Sequence, residues 1–259
     1  MTFTLDGVQF GSVTLRWFGL FLITAVLVST GLAGRLAKEA GLPRGVVWRA
    51  LAWIVPGALL GARAWYVVFP PQSAVLIGRD AGWQITHFFD LNQGAVAVWA
   101  GGLGFLGALL GGAFMLWRFA HYLKQPAARW FDLAAPALAL GQSIGYWGIG
   151  ANGDLPRLWA WESALGAAVF VALMILRRRI APTPDGKDSG RIAALYLILY
   201  GGGRFILEFF RDNVSLISGV NISQAMCALF ALSGAWWWYR LSRSLPPPES
   251  PPSAVHSDR

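Results

Sequence analysis

The sequence has little charge and few residues that bind metals. Charged residues make up 13% of its 259 residues, whereas hydrophobic residues make up 56%. A soluble domain needs more charge than this to cover its surface, which excludes an ordinary soluble protein. The single cysteine, Cys227, offers neither a disulfide framework nor a thiol metal site. The histidines His87, His121 and His256 fall in different predicted compartments, so we expect no metal site and no cofactor.

Long apolar runs fill most of the chain. They lie near residues 17–33, 51–69, 95–117, 131–149, 158–176, 192–210 and 220–239, with ends uncertain by roughly 2–4 residues. Each is close to the ~20 residues that a helix needs to cross ~30 Å of hydrocarbon. The sequence therefore predicts an all-α, polytopic membrane protein with about seven transmembrane helices. No cleavable signal peptide is evident, so we expect the first run to remain as a helix.

The basic residues are concentrated in alternate loops. They follow the first span (Arg35, Lys38), the third (Arg118), the fifth (Arg177–Arg179) and the seventh (Arg240). By the positive-inside rule these loops are cytoplasmic, which places the N-terminus outside and the C-terminus in the cytoplasm. This pattern also accounts for the net charge of +8 without a nucleic-acid partner, which we do not expect.

The domain organisation is simple. Residues 1–245 are predicted to form a single transmembrane helical domain, in which the aromatic and polar segment near 70–94 forms an arm on the membrane surface. Residues 246–259 are rich in proline and serine and are predicted to be disordered. No convincing internal repeat is present, and neither broken paired helices nor a charged ring favours a transporter or channel.

Two arginines, Arg63 and Arg204, lie well inside predicted spans, where an ionised side chain costs at least ~2.5–3.5 kcal/mol unless it is paired or hydrated. Tyr200, Arg204, Glu208 and Arg211 fall at i, i+4, i+8 and i+11, which places them on one helix face. One interpretation is a structural Arg204–Glu208 ion pair that fixes helix packing. The other is an anion site, because the guanidinium fork matches a phosphate.

The fourth span ends in the glycine-rich sequence GQSIGYWGIGANGD, from Gly141 to Asp154. Its glycines allow either close helix packing or close approach of a ligand to the backbone, and packing is the commoner use in membrane helices. Gln142, Asn152 and Asp154 add polar groups to this segment, and Glu162 follows at the start of the fifth span as a candidate buried acid or a helix-capping residue.

Several blocks of the sequence, in order, resemble bacterial prolipoprotein diacylglyceryl transferases. They are LRWFGL from Leu15, GARAWYVVF from Gly61, VWAGGLGFLGALLGG from Val98, DLAAPALALGQSIGYWGIGANGD from Asp132, WES from Trp161, YLILYGGGRFILEFFRDN from Tyr196 and ISQ from Ile222. The resemblance covers residues 13–241. Each block alone is weak, but their order and the predicted topology agree with the family.

The resemblance implies a reaction in the bacterial cytoplasmic (inner) membrane. Such enzymes move the diacylglyceryl group of phosphatidylglycerol to the lipobox cysteine thiol in the signal peptide of a preprolipoprotein, and they release glycerol phosphate. The expected partners are thus phosphatidylglycerol, the signal peptide and membrane lipids. A base must accept the thiol proton, and fixed cations must stabilise the departing phosphate.

The resemblance then assigns the candidate site residues. The catalytic candidates are Arg204, Glu208 and Asp154. The residues expected to bind the phospholipid headgroup are Arg63, Gln142, Tyr146, Asn152, Glu162 and Tyr200.

The sequence departs from the family pattern at positions that the chemistry uses. Leu106 replaces the histidine of the family's SFHGG, and Tyr146 replaces the arginine of IGRxGN. Ile149 replaces an asparagine, Phe18 a tyrosine and Asp154 a glutamate. Leucine cannot accept a proton, and tyrosine is neutral at pH 7. Two interpretations stay open: a divergent transferase that uses Asp154 or Glu208 as base, or a catalytically altered relative that binds phospholipid or lipoprotein.

Overall fold

The computed structural model describes residues 2–4, 7–10, 13–43, 45–98, 101–153, 158–179, 189–217 and 219–243. The chain is mostly helical. The longer helices are α1 (Trp17–Glu39), α2 (Val46–Val68), α5 (Phe105–Tyr122), α6 (Ala127–Ala151), α7 (Leu158–Arg179), α8 (Arg191–Leu207) and α9 (Ile222–Arg243). Helices α3 (Gln72–Leu76) and α4 (Ala81–Thr86) are short, and α8 continues into a 3₁₀ turn, Glu208–Phe210.

Two small antiparallel sheets accompany the helices. The first has the order β1 (Thr2–Thr4), β2 (Gly7–Phe10), β3 (Val13–Arg16), and it leads directly into α1. The second is a two-residue pairing of β4 (Leu216–Ile217) with β5 (Val220–Asn221), just before α9. Neither sheet was predicted from the sequence, because both strand sets are short and lack a long alternating pattern.

Each predicted span overlaps one long helix, but the boundaries differ. The third span was predicted to begin near residue 95, which is wrong: the helix begins at Phe105. Gly101 and Gly102 have φ of +89° and +68°, a left-handed conformation that interrupts a right-handed helix. The prediction of a disordered tail at 246–259 falls outside the described residues.

Four helices in the described part of the chain are long and apolar enough to cross a membrane. They are Trp17–Glu39, Val46–Val68, Leu158–Arg179 and the combined α8 segment Arg191–Phe210. Large apolar side chains on their outer surfaces are exposed, for example Ile23 at 59% and Leu60 at 68%. Such exposure is unfavourable in water and is expected for helices that face lipid. The chain is therefore a helical membrane protein, while the total of seven spans and the orientation stay predictions.

Glycines let the helices pack closely. On α2 and α5, a Cβ added to Gly107 would lie 2.1 Å from the carbonyl oxygen of Gly61, and one added to Gly111 would lie 2.2 Å from that of Gly57. The two helix backbones thus touch through small residues spaced four apart on each helix. Packing, rather than ligand approach, explains these glycines.

The arm that precedes α5 is tied to the segment that follows the 3₁₀ turn. The backbone N–H of Gln72 donates to the carbonyl of Val214 over 3.1 Å, and that of Ser73 donates to Oδ1 of Asn213 over 3.1 Å. The hydroxyl of Ser215 donates to the carbonyl of Phe69 over 2.9 Å. These bonds hold the start of the arm beside the end of α8, where the polar stripe lies.

Candidate functional site

Four charged side chains from α7, α8 and the turn after α8 meet inside the protein, and we call them the arginine–glutamate cluster: Glu162, Arg204, Glu208 and Arg211. Arg204 donates from Nη1 to Oε1 of Glu162. Arg211 donates from Nη2 to the same oxygen over 2.7 Å. Oε2 of Glu208 lies 3.8 Å from Nη2 of Arg204 and 3.5 Å from Nε of Arg211.

The cluster is almost completely buried. The side chains of Glu162 and Glu208 are 1% exposed, that of Arg204 is 4% exposed and that of Arg211 is 17% exposed. Two positive and two negative charges balance, which offsets part of the cost of removing them from water. Arg211, the most exposed of the four, forms the outer edge of the cluster.

Several polar atoms in the cluster have unused hydrogen-bonding capacity. Both carboxylate oxygens of Glu208, Oε2 of Glu162 and Nε of Arg204 are buried without a hydrogen-bond partner. Buried polar groups in proteins are usually paired, and exceptions are often sites where a small molecule or proton is handled. The cluster therefore has both acceptors and a cation available for a polar ligand.

Aromatic rings surround the guanidinium of Arg204. Its Cζ lies 5.5 Å from the ring centroid of Phe105 and 5.9 Å from that of Tyr146, and Nη1 donates to the Tyr146 hydroxyl. Tyr200 lies one helical turn before Arg204, and its ring centroid is 6.1 Å from that of Phe105. Rings placed this way favour a cation and exclude water, so that charge interactions here are stronger than at the surface.

A second polar pair, nearer the N-terminal end of α8 than the cluster, links α6 to α8. Gln142 donates from Nε2 to the hydroxyl of Tyr196 over 2.7 Å, and Oε1 of Gln142 is buried without a partner. Tyr196 and Tyr200 stack with centroids 5.4 Å apart and planes 6° apart. Polar groups therefore continue from the cluster toward the middle of α8.

The predicted stripe on α8 explains part of this arrangement. Tyr200 and Arg204 are buried in α8, and Glu208 and Arg211 remain on the same side although the α-helix ends at Leu207. The predicted Arg204–Glu208 ion pair is present, but the shorter contact of Arg204 is with Glu162 on α7. The arginine therefore joins α6, α7 and α8 rather than only neighbouring turns of one helix.

Two of the predicted site residues, Arg63 and Asn152, lie outside the cluster. Arg63 is buried in α2, and its guanidinium donates to the carbonyls of Gly94, Ala95, Gly101 and Gly102, so it braces the loop before α5.

The second of them lies at the end of α6. Asn152 is exposed at the C-terminal end of that helix. Asp154 lies outside the described residues.

Three residues of the site were not among the candidates chosen from the sequence. Arg211 belonged to the stripe and could have been chosen because it completes the charge balance. Tyr196 is one helical turn before Tyr200 on the same face. Phe105 gave no signal, since an apolar residue at a helix start is ordinary.

Leu106, at the position where the family pattern has histidine, lies in an apolar environment. It is 3% exposed and forms a buried cluster with Cys227 and Phe230. Trp65, Leu109 and Phe205 pack around this cluster. Its surroundings therefore match its apolar side chain.

The fold and the cluster define a helical membrane protein with a buried, charge-balanced arginine–glutamate site. Comparison with known proteins is more specific: the family described as Prolipoprotein diacylglyceryl transferase matches residues 7–156 and 158–240, and the chain belongs to this family.

Curated relatives carry the name phosphatidylglycerol–prolipoprotein diacylglyceryl transferase. The protein of Prochlorococcus marinus (strain MIT 9303) is 31% identical, with 97% of each chain covered. That of Parasynechococcus marenigrum (strain WH8102) is 30% identical, with 92% of this chain and 95% of the relative covered. That of Symbiobacterium thermophilum is 30% identical, with 92% and 94% covered. The similarity thus extends over nearly the whole chain.

Proposed function

We propose that the protein is a phosphatidylglycerol–prolipoprotein diacylglyceryl transferase, which moves a diacylglyceryl group from phosphatidylglycerol to a lipobox cysteine thiol. The observation that carries the proposal is the buried Arg204 guanidinium, held between Tyr146 and Glu162, in a chain that belongs to this family. A guanidinium fixed in a water-poor site can stabilise the negative charge of a leaving phosphate.

In the proposed reaction the thiol gives its proton to a carboxylate. The thiolate attacks the carbon of the diacylglyceryl group that is bonded to the phosphate ester oxygen. The carbon–sulfur bond forms as the carbon–oxygen bond breaks, and glycerol phosphate leaves with the bonding electrons on oxygen. Glu208 fits the role of base, since both of its oxygens are free of hydrogen bonds to described residues. Asp154 is the alternative base, and it falls outside the described residues.

The remaining residues would bind and orient the substrate. Arg204 and Arg211 would donate hydrogen bonds to the phosphate, with Glu162 holding both guanidinium groups in place. Tyr146, Tyr200 and Gln142 would contact the headgroup from α6 and α8, together with Asn152 near the end of α6. Arg63 would contribute its charge from the base of the arm.

The proposal also specifies the membrane in which the protein lies and the route of its substrates. The chain would cross a bacterial inner membrane about seven times, with its N-terminus outside and its C-terminus in the cytoplasm. The signal peptide of a preprolipoprotein and phosphatidylglycerol would reach the cluster sideways from the membrane, near the outer leaflet.

The second candidate function is binding without turnover. Leu106 in its apolar cluster cannot accept a proton, and Tyr146 supplies no positive charge where the family pattern has arginine. Losing a base lowers a rate by about 10²–10⁴, and losing one oxyanion donor lowers it by about 10²–10³. A protein with both losses would hold phospholipid or lipoprotein at the same cluster.

The test supplies the purified protein, in vesicles that contain phosphatidylglycerol, with a lipobox peptide. Mass spectrometry then shows whether the peptide has gained the mass of one diacylglyceryl group. An authentic family member is assayed in parallel as the control. We expect product from the wild type and from Arg35→Ala, an exposed arginine on α1, and none from Arg204→Ala. Arg204→Lys keeps the charge but loses the fork, so its loss of activity with normal folding would assign the effect to phosphate binding.

Absence of product from the wild type while the control enzyme works would refute the transferase proposal. Retention of phosphatidylglycerol through purification, weakened by Arg204→Ala, would then support the binding function.

A further inference from the structure

The last two turns of α9 present aromatic and basic side chains away from the other helices. The inner side of α9 packs on α8, since a Cβ added to Gly234 would lie 2.7 Å from the carbonyl oxygen of Ala194. Helical spacing directs a different set of residues to the opposite side. An open cavity of about 450 Å³ lies there, and we call it the α9 pocket; it is lined by Trp236, Tyr239, Arg240 and Arg243.

Both arginines of the α9 pocket lie over aromatic rings. Cζ of Arg240 is 5.1 Å from the ring centroid of Trp236, and Cζ of Arg243 is 4.5 Å from that of Tyr239. Among the residues that the structure describes, neither arginine forms a hydrogen bond or an ion pair. A guanidinium that is attracted to a ring can still donate its N–H groups to an acceptor, so the two arginines are positioned but available.

The charge of the α9 pocket favours an anion. None of its four lining residues is acidic, and both arginines are exposed. Arg191, at the start of α8, lies with its Cζ 6.0 Å from the ring centroid of Trp238 and adds a third positive charge at this end of α8 and α9. Guanidinium groups match the oxygens of a phosphate, which makes a phosphate the expected anion.

An apolar surface continues from the α9 pocket along the same side of the helix. Leu229 and Leu232 are 54% and 68% exposed, and they precede Trp236 by seven and four residues, which places the three on one face. From Leu229 to Arg243 an α-helix rises about 21 Å, which is roughly half of a bilayer of ~40–45 Å including headgroups. This side of α9 therefore offers apolar, aromatic and basic side chains in the order in which one lipid leaflet offers acyl chains, interface and phosphates.

We propose that the α9 pocket binds one anionic phospholipid, with its phosphate at Arg240 and Arg243 and its acyl chains along the exposed leucines of α9. In the predicted orientation this lipid lies in the cytoplasmic leaflet, whose anionic lipids are attracted to arginines at the ends of membrane helices. The exposed leucines favour a lipid over an acidic protein segment, because they would face hydrocarbon. The α9 pocket shares no residue with the arginine–glutamate cluster, and the proposal does not depend on transferase activity.

The first arm of the test uses phosphatidylserine, an anionic lipid that is not the donor in the proposed reaction. The full-length protein, freed of lipid in detergent, is titrated with phosphatidylserine or with phosphatidylcholine of identical acyl chains, and native mass spectrometry counts the bound molecules. We expect one phosphatidylserine to bind more tightly than phosphatidylcholine. Arg240→Gln combined with Arg243→Gln should weaken this binding about tenfold or more, since each arginine near a membrane surface attracts anionic lipid.

The matched control is Arg178→Gln combined with Arg179→Gln. It also removes two exposed arginines, at the end of α7, which the topology places on the same side of the membrane. We expect this control to leave the bound phosphatidylserine unchanged. Equal losses in the two double variants would show only a general attraction between opposite charges, and they would overturn the proposal.

The second arm locates the lipid. Phosphatidylserine with a photoreactive group on an acyl chain is placed in phosphatidylcholine nanodiscs with the wild type, and the crosslinked peptides are identified by mass spectrometry. Crosslinks to residues 229–243 that the Arg240→Gln and Arg243→Gln pair abolishes would support the proposal. Crosslinks confined to other helices overturn it, as does phosphatidylserine that binds no better than phosphatidylcholine. The substituted arginines are exposed, so we expect the variants to fold, which thermal unfolding checks; the wild-type crosslinks test the proposal without any variant.

Discussion

Arg204 on α8 and Glu162 on α7 form an ion pair whose two side chains are 4% and 1% exposed. Arg211 contacts the same oxygen of Glu162 from outside the helix. The single carboxylate thus contacts two guanidinium groups, and removing it would leave Glu208 as the one carboxylate of the cluster beside two positive charges. The pair connects the packing of α7 and α8 to the geometry of the proposed phosphate site.

The substitution Glu162→Gln is expected to destabilise the protein strongly. Breaking a buried ion pair by removing one partner typically costs about 3–5 kcal/mol, because the other charge stays buried. The matched control is Glu39→Gln, which removes a surface pair with Arg177 in which Glu39 is 62% exposed. Surface pairs contribute about 0–1 kcal/mol. Both substitutions are compared by the change in the free energy of unfolding in detergent micelles. Equal changes would contradict the structural role of the cluster.

Restoring a histidine at the family position is expected to fail. Leu106→His would bury a polar ring beside Cys227 and Phe230, at a cost of about 1–3 kcal/mol unless it finds a partner. We expect a lower unfolding midpoint and no gain in transferase activity. Leu106→Met, with similar volume and no polar ring, should be nearly neutral. A stable Leu106→His variant with raised activity would show that the apolar surroundings still admit a catalytic histidine.

Much of the fold could be predicted from the sequence because lipid imposes long apolar helices. The stripe at Tyr200, Arg204 and Glu208 was correctly placed on one face, since helical periodicity determines which residues share a face. The chain's family was also identified correctly from ordered motifs.

The partner of Arg204 could not be predicted. Helical spacing relates residues within one helix, whereas Glu162 lies on α7 and meets Arg204 only through helix packing. Spacing therefore favoured the neighbour Glu208, which lies at the longer distance of 3.8 Å.

The structural bracing by Arg63 was missed for a similar reason: its partners are backbone carbonyls 31 to 39 residues away along the chain. The side-chain pattern of a sequence does not show which backbone carbonyls of a loop point into the protein. The same irregular loop explains why α5 begins at Phe105.

The contact between α2 and α5 should tolerate no added methyl group. In Gly107→Ala the new Cβ would lie 2.1 Å from the carbonyl oxygen of Gly61, so the helices must separate. We expect a loss of about 1–3 kcal/mol in the free energy of unfolding. Gly34→Ala on α1 is the control, because its Cβ would meet nothing within 4 Å. Alanine should stabilise that helix by up to about 1 kcal/mol. Opposite signs for the two variants are the expected result, and a neutral Gly107→Ala would contradict the close packing.

The start of α8 depends on a carboxylate from another helix. Asp132 on α6 accepts from the backbone N–H of Gly190 over 2.6 Å and from that of Ala193 over 2.8 Å. Removing a helix cap costs about 0.5–2 kcal/mol, so Asp132→Ala should lower stability by this amount and speed amide hydrogen exchange in the first turn of α8. Asp80→Ala removes the cap of the short helix α4, where Oδ1 accepts from Trp83. Because α4 is only six residues long, that control should speed exchange in α4 with little change in global unfolding. If Asp132→Ala left exchange in α8 unchanged, the cap would not be what positions the helix that carries Arg204.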